Sequence, residues 1–311
     1  MGDPLAEVVM LLRPRAAFSK LVSAAGRWRV RRTAVAQPFY CLILEGGSRL
    51  EVDGHAPVEL QQGDFVLVPS AHSFTMSSLA PPPPAAAAVE PVVLDDGAIR
   101  LGERDAPIDL QILVGYCTFG SPDAALLVSL LPQLVHVRGE KRLSTLVQLV
   151  GEESRAARPA RDVVLARLLE VILIEALRSA AGTTASPGLL RGLADERLAV
   201  ALRHMHANLK TPWTVAQLAN VAALSRSAFF ERFSRALGVA PMAYLLAWRM
   251  ALAKNLLRRH DTGVAEVAER VGYGSASAFS VAFSRHVGVP PARYARDSPA
   301  ADESGPVGTF T

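Results

Sequence analysis

A chain of 311 residues, half of them hydrophobic and a fifth charged, has the length of two domains and is too apolar for global disorder. Its two cysteines, Cys41 and Cys117, exclude a disulfide scaffold or a four-cysteine zinc site and point to a reducing compartment. The formal charge of +4 is unevenly spread: residues 195–296 hold 14 Lys and Arg against 6 acids, residues 1–194 hold 19 against 20, and a basic C-terminal third is the footprint of a nucleic-acid face.

Apolar residues at Leu5, Val8, Val9 and Leu12 predict a short amphipathic helix that Pro14 ends. From Ala17 to about Phe119 the runs FYCLILEGGSRLEVDG, VELQQGDFVLVPS and IDLQILVGYCTF, punctuated by glycine turns, predict antiparallel hairpins of a small β-barrel or sandwich. Pro81 to Pro84 interrupt them; residues 80–88 lack sheet donors and predict a polyproline-like surface loop.

The period then turns helical in DAALLVSLLPQLVHV, RLSTLVQLVGEESRAA and DVVLARLLEVILIEALRSAA. Helices this apolar need a second surface, either the barrel or a second copy of the chain in a homodimer. Glu170 and Glu175 break the longest apolar stretch, and nothing approaches the roughly 18 residues of a membrane helix. The start MGDPLAEVVMLLRPR has no basic n-region, so the expectation is a cytoplasmic protein without membrane contact.

One unit occurs twice. SRSAFFERFSRALGVAPMAY, Ser225 to Tyr244, returns fifty positions later as SASAFSVAFSRHVGVPPARY, Ser275 to Tyr294. Each copy reads as the second half of a helix-turn-helix. Asp195 caps a helix to about His206, and Thr214 with Gln217 three residues on has capping-box spacing. Ser225 and Ser275 cap the two recognition helices. Ala228, Phe229 and Phe233 face inward in copy one, with Arg226, Ser227, Phe230, Glu231 and Ser234 outward. In copy two Phe279 and Phe283 face inward, with Ala276, Ser277, Ser280, Val281 and Ser284 outward. Met242 to His260 is predicted as a long helical strut between the copies, suited to placing them in successive major grooves about 34 Å apart. Arg226, Arg232, Arg235, Arg258, Arg259 and Arg285 supply phosphate contacts, which give affinity without sequence information. Arg226 and Glu231 match guanine and cytosine, whereas the serines and Val281 of copy two suit phosphates and thymine methyls.

The segments WTVAQLANVAALSRSAFFERFSRALGVAPMAYLLAWRMALAKNLL and VAEVAERVGYGSASAFSVAFSRHVGVPPARY resemble the DNA-binding domain of the AraC family of transcription regulators. That resemblance implies sequence-specific binding to double-stranded promoter DNA and activation through contact with RNA polymerase. It places base reading on Ser227, Phe230 and Glu231 in copy one and on Ala276, Ser277, Ser280 and Val281 in copy two. Phe230, Ala276 and Val281 depart from the polar residues often found there, so copy two is expected to act mainly as a backbone clamp. QQGDFVLVPSAHSF is similar to the second motif of cupin-like sensor domains through Gly63, Asp64, Pro69 and His72. Tyr40 and Cys41 stand where the first motif of a metal-binding cupin has its histidine pair. Pairing His72 with Cys41 or His55 is not required by the spacing, so no metal and no cofactor are expected, and His72 reads as a structural or pocket histidine.

The expected class is therefore α+β. Residues 1–121 form a cupin-like β-barrel sensor with flanking helices, 122–181 a helical extension for dimerisation and 182–194 a linker. Residues 195–296 form an all-α DNA-binding domain of two helix-turn-helix units joined by a long helix, and 297–311 a flexible tail. The DNA face is assigned to Ser225, Arg226, Ser227, Phe230, Glu231, Arg235, Ser275, Ala276, Ser277, Ser280, Val281 and Arg285. Cys41 and Cys117, in strand-like runs, read as small buried hydrophobes. The alternative is a redox switch, since some relatives with this cupin type sense reactive chlorine or electrophiles through cysteines. The effector is thus a small molecule or an oxidant, with Cys41, His72 and Cys117 as its candidate residues. Two competing classes are a cupin-type metal-dependent enzyme with an attached DNA-binding domain, which lacks its histidine pair here, and a helical interaction protein that binds no DNA, against which the +8 module argues.

Overall fold

The computed structural model describes residues 3–33, 37–69, 73–83, 91–94, 98–121, 123–156, 158–180, 188–259 and 261–297. Contacts group the chain into two units, one of residues 12–120 and 127–191, the other of residues 1–11, 121–126 and 192–311.

The first unit is built on β1 (Pro14–Ala25), β2 (Arg29–Thr33), β3 (Phe39–Glu45), β4 (Gly47–Val52), β5 (Val58–Gln61), β6 (Phe65–Val68), β7 (Ser73–Ser77), β8 (Val92–Val93), β9 (Ile99–Gly102), β10 (Leu110–Phe119) and β11 (Val135–Val137). They form a seven-stranded sheet in the order β11-β6-β3-β10-β1-β9-β8 and a four-stranded sheet β2-β7-β4-β5. Among the described strands only β1 and β9 pair in parallel. Period-two alternation decides what goes inside. Phe39, Cys41, Ile43, Val66, Val68, Ile112 and Tyr116 from the larger sheet meet Leu50, Val52, Leu60, Phe74 and Met76 from the smaller in one core. Phe39 stacks on Phe74 at 4.5 Å and tilts against Tyr116 at 5.4 Å, so the two inner faces touch through aromatic rings. This is the two-sheet body that the hairpin pattern predicts as a small β-barrel or sandwich.

The opposite face of the larger sheet carries Tyr40, Leu42, Leu113 and Cys117, all buried. It is covered by α3 (Lys141–Arg155) and α4 (Arg161–Ala180), with Leu143, Val147 and Val150 of α3 and Leu165, Leu169, Ile172, Leu173, Ala176 and Leu177 of α4 buried. Two glycines set how closely side chains pack here. A Cβ on Gly151 would stand 2.9 Å from Leu113 Cδ2, and one on Gly115, paired with Tyr40 across β3 and β10, would stand 2.0 Å from Tyr40 Cζ. Tyr40 lies in the space that Gly115 leaves open.

Between these elements the structure departs from the helical reading of residues 123–137. Only α2 (Ala124–Ser129) forms, and Val135–Val137 becomes β11 beside β6. Pro132 cannot continue a helix, and the alternating Val-His-Val completes the sheet edge. Residues 84–88 of the proline-rich loop lie outside the described residues.

The second unit contains α1 (Pro4–Leu12, as far as Leu11), the end of α5 (Leu189–Ala194), α6 (Glu196–Ala207), α7 (Val215–Val221), α8 (Arg226–Leu237), α9 (Pro241–Leu257), α10 (Val264–Arg270), α11 (Ala276–Val287) and α12 (Pro291–Asp297). Residues 182–194, expected as linker, are helical over Leu189–Ala194 because Leu189 and Leu190 are buried; residues 182–187 lie outside the description, as do 298–311 of the tail. Two stretches, α1 from the expected sensor segment 1–121 and residues 121–126 at its junction with the expected helical extension 122–181, group instead with this helical unit. Buried polar contacts hold them. Lys254 on α9 pairs with Asp123, both side chains nearly inaccessible. Glu7 on α1 accepts from His206 Nδ1 at 2.7 Å, and His206 Nε2 lies 2.8 Å from the Tyr244 hydroxyl. A carboxylate only accepts, so Nδ1 carries a proton, and in the neutral ring Nε2 accepts from Tyr244. Burial first, and then the Glu7 charge, push the Tyr244 hydroxyl upward, so it remains a donor.

Candidate nucleic-acid interface

The interface begins with two helix starts. Asp195 accepts from the Arg197 and Leu198 N–H groups, and Thr214 with Gln217 completes a capping box at α7. Ser225 Oγ accepts from Ala228 N–H at 3.2 Å and Ser275 Oγ from Ala278 N–H at 3.1 Å, so α8 and α11 begin one residue after the expected caps. Both end at left-handed glycines, Gly238 and Gly288. Each recognition helix therefore carries its own start and stop signals.

Phe229, Phe233, Phe279 and Phe283 are fully buried. Phe233 meets Tyr244 at 5.8 Å and Phe283 meets Tyr294 at 5.5 Å in the same edge-to-face geometry, so the repeated Phe and Tyr positions make one contact twice. The inner face of α8 is completed by Ala236 and Leu237, at i+7 and i+8 from Phe229. That phase corrects two expectations: Ala228 is exposed rather than inward, and Ser234 is half-buried rather than outward. Likewise Ser284 is half-buried.

On the outward side, Ser225, Arg226, Ser227, Glu231 and Arg235 are exposed and Phe230 is 44 % accessible. In α11, Ser275, Ser277 and Arg285 are exposed, Ala276 and Ser280 are half-buried, and Val281 is 71 % accessible. Some of these hydroxyls are already engaged. Ser225 and Ser227 lie 3.3 Å apart, Ser275 and Ser277 3.1 Å apart, and Ser280 donates to the Ala276 carbonyl at 2.7 Å. Arg232 pairs with Asp195 and Arg270 with Glu266; among the described residues Arg226, Glu231, Arg235 and Arg285 carry no ion pair.

The strut α9 ends at Leu257, and His260 lies outside the described residues. It is buried on most sides instead of along one stripe, because its first half packs with Phe233 and its second half, through Met250, Ala253, Leu256 and Leu257, enters the core of the second helix-turn-helix. The residue that the sequence reading passed over is Arg249. Its Nη2 donates to the Leu209 carbonyl at 2.6 Å and the Thr211 carbonyl at 2.9 Å, and its guanidinium lies 5.9 Å from the Tyr273 ring centre. Burial lowers its pKa while Tyr273 opposes that shift. Gly272, at φ +83°, passes beneath Leu209 so closely that a Cβ would stand 2.0 Å from its carbonyl oxygen. Lys210 also pairs with Glu269 at 2.6 Å. The loop after α6 is thereby tied to α9 and to the turn between α10 and α11. A cation between Trp248 and Met250 in a largely apolar helix was the signal available in sequence.

In the sheet unit, Asp64 of the cupin-like motif accepts from Gln61 N–H at 3.1 Å and from His136 Nε2 at 2.9 Å, which fixes the turn before β6. His136 had no signal of its own. His72 lies outside the described residues. Among the described residues no three His, Cys, Asp or Glu side chains converge as a metal site would need. Cys41 points into the core and Cys117 onto the opposite face of the same sheet. Burial pushes both thiols from 9.0 to about 12, with the Asp64 charge adding to the shift at Cys41. Neither has the accessibility or the lowered pKa that a sensor thiol requires. Iodoacetamide at pH 8 is expected to leave both unmodified until denaturant is added; labelling of the native protein would contradict their burial. With folded pKa values raised above unfolded ones, the associated stability is full below about pH 9 and is lost as pH rises toward about 12.

Residues 3–182 match the family model described as Cupin, and residues 218–297 match one described as Helix-turn-helix domain. An AraC-like transcription regulator of Streptomyces lividans is 37% identical over 94% of this chain and 97% of its own length. A second, from Streptomyces antibioticus, is 35% identical over 94% and 98%. The HTH-type transcriptional regulator AlkR of Acinetobacter baylyi is 29% identical over 89% of this chain and 94% of its own. No described helix is by itself long and apolar enough to cross a membrane.

Proposed function

This chain belongs to the AraC-like transcription regulators, with a cupin domain preceding a helix-turn-helix DNA-binding domain, and from that premise we propose that α8 and α11 enter two major-groove segments of promoter DNA. The supporting observation is the pair of capped helices whose outward sides carry Arg226, Glu231, Arg235 and Arg285 without internal ion pairs among the described residues. Ser227, Phe230 and Glu231 read bases from α8, and Ala276, Ser277, Ser280 and Val281 from α11. Ser225 and Ser275 present the helix N-termini to phosphate. Arg226, Arg235 and Arg285 contribute charge to the backbone contacts. The function as a regulator is favoured over that of a cupin-type enzyme by relatives that are transcription regulators along nearly their whole length.

The finer reading has three parts. The sensor unit takes a small-molecule effector, DNA-bound protein activates through RNA polymerase, and two copies associate through α3 and α4. Leu149, Val163, Val164 and Val171 favour the last part, since these large apolar groups remain 37–62 % accessible on that helical pair. Footprinting across the upstream region of its own gene is the test: a bounded protected segment is expected, with affinity falling steeply as salt rises. Arg285→Ala should weaken every duplex and reduce the salt slope by about 1. Salt-sensitive coverage without a boundary would refute the assignment.

A further inference from the structure

Val281, at 71 % accessibility, is the most exposed large hydrophobic side chain among the described residues, and it stands on the recognition helix of the second copy. Its equivalent fifty positions earlier is Glu231, whereas the preceding pair is Phe230 and Ser280. Each recognition helix thus presents one apolar group across two successive outward positions: Phe230 beside Glu231 in α8, Val281 beside Ser280 in α11. The hydroxyls of α11 do not compensate. Ser280 donates its hydroxyl hydrogen bond to the Ala276 carbonyl, and Ser275 accepts from the Ala278 N–H and is hydrogen-bonded to Ser277. From Ser275 to Val281 the helix offers no amide or cation, so its dominant outward group is an isopropyl.

The apolar feature of base edges in the major groove is the C5-methyl of thymine. We propose that Val281 makes the second helix-turn-helix a thymine-methyl reader, with Phe230 adding a methyl contact beside the cytosine-accepting carboxylate of Glu231. This rests on the reading that α8 and α11 enter the groove. It differs from a backbone clamp because the contact carries sequence information: a thymine facing α11 is preferred over cytosine, which presents an amine and no methyl.

The test uses the full chain and a duplex that it enriches from a random-sequence pool, resynthesised with deoxyuridine in place of thymidine so that only C5-methyls are removed. Wild type should bind the uracil duplex about fourfold more weakly for each methyl contacted, the equivalent of burying one methyl-sized group. V281A should lose the discrimination in the half-site facing α11, F230A that in the other, and the double variant should bind both duplexes alike. V281T, which keeps one methyl and the branched shape, should retain discrimination in part. Val281 is exposed, so unchanged thermal midpoints are expected and separate a contact effect from unfolding. Equal binding of both duplexes by wild type, or undiminished discrimination by the double variant, would overturn the proposal while leaving groove entry intact. Failure to enrich any sequence would instead remove groove entry, and the methyl contact with it.

Discussion

Phe283→Ala should destabilise the second helix-turn-helix by about 3–5 kcal/mol, the range for deleting a buried ring and leaving its cavity. Phe283 is fully buried in a cluster that otherwise contains Met250, Ala253, Leu256, Leu257, Val267, Ala268, Val271 and Phe279. It meets Phe279 at 5.4 Å and Tyr294 at 5.5 Å, so the substitution also removes a packing partner of both rings. A core this small has little surplus, and whole domains hold only about 5–15 kcal/mol. Thermal unfolding of the full chain should therefore lose its earliest cooperative step or shift it down strongly. Phe283→Leu, which keeps more of the volume, should cost less. DNA affinity should fall with the fraction of second helix-turn-helix that is folded. A Phe283→Ala protein that melts like wild type would mean that the cluster does not hold this unit together.

Gly272→Ala should have a second large effect, of a different kind. The left-handed φ of +83° disfavours any side chain by about 1–2 kcal/mol. The new Cβ would also stand 2.0 Å from the Leu209 carbonyl, backbone that cannot turn aside as a flexible side chain can. That carbonyl accepts one of the two Arg249 hydrogen bonds. Moving it therefore loosens the link from the loop after α6 to the strut and the second turn. Two readers on one duplex need a fixed spacing. Affinity for a duplex carrying both subsites should accordingly drop by about tenfold or more, an amount consistent with a loss of roughly 1.4 kcal/mol or above. Arg249→Met should reproduce the affinity loss, because it takes the guanidinium from the half-buried Leu209 and Thr211 carbonyls and leaves Thr211 only the Trp213 N–H. Unaltered affinity in both variants would show that the two units orient independently of this staple.

Much of the fold was legible because it depends on local chemistry. The apolar run from Phe39 to Ile43 marks a strand, and strand geometry sends Phe39, Cys41 and Ile43 to one buried face and Tyr40 and Leu42 to the other. The caps at Asp195, Thr214, Ser225 and Ser275 bond within three residues, a reach that spacing encodes directly. The misreadings share a cause. Residues 123–137 carried enough apolar residues for a helix, yet β11 forms because β6 offers a sheet edge that no local pattern reveals. Ala228 and Ser234 were assigned by a simple inward face, and the contacts of Ala236 and Leu237 rotate that face.

On the proposed DNA face, sequence identified which residues stand on α8 and α11, but not which hydroxyls remain available. Ser280 looks like a donor in sequence and is spent on the Ala276 carbonyl in the folded helix. Val281 departs from the polar residue expected there and is the most accessible large hydrophobic side chain among the described residues.

The sequence alone therefore determined the duplicated unit, its Phe, Gly and Tyr scaffold, the caps and the basic balance of the C-terminal third, since each is a short-range or additive property. Tertiary structure decided that α1 and residues 121–126 join the helical unit, that Arg249 ties the loop after α6 to α9 and to the turn between α10 and α11, and that both thiols are buried. Those features rest on pairings between residues as distant as Glu7 and His206, where the free energy lies in desolvation and hydrogen-bond geometry and spacing along the chain carries no trace of it.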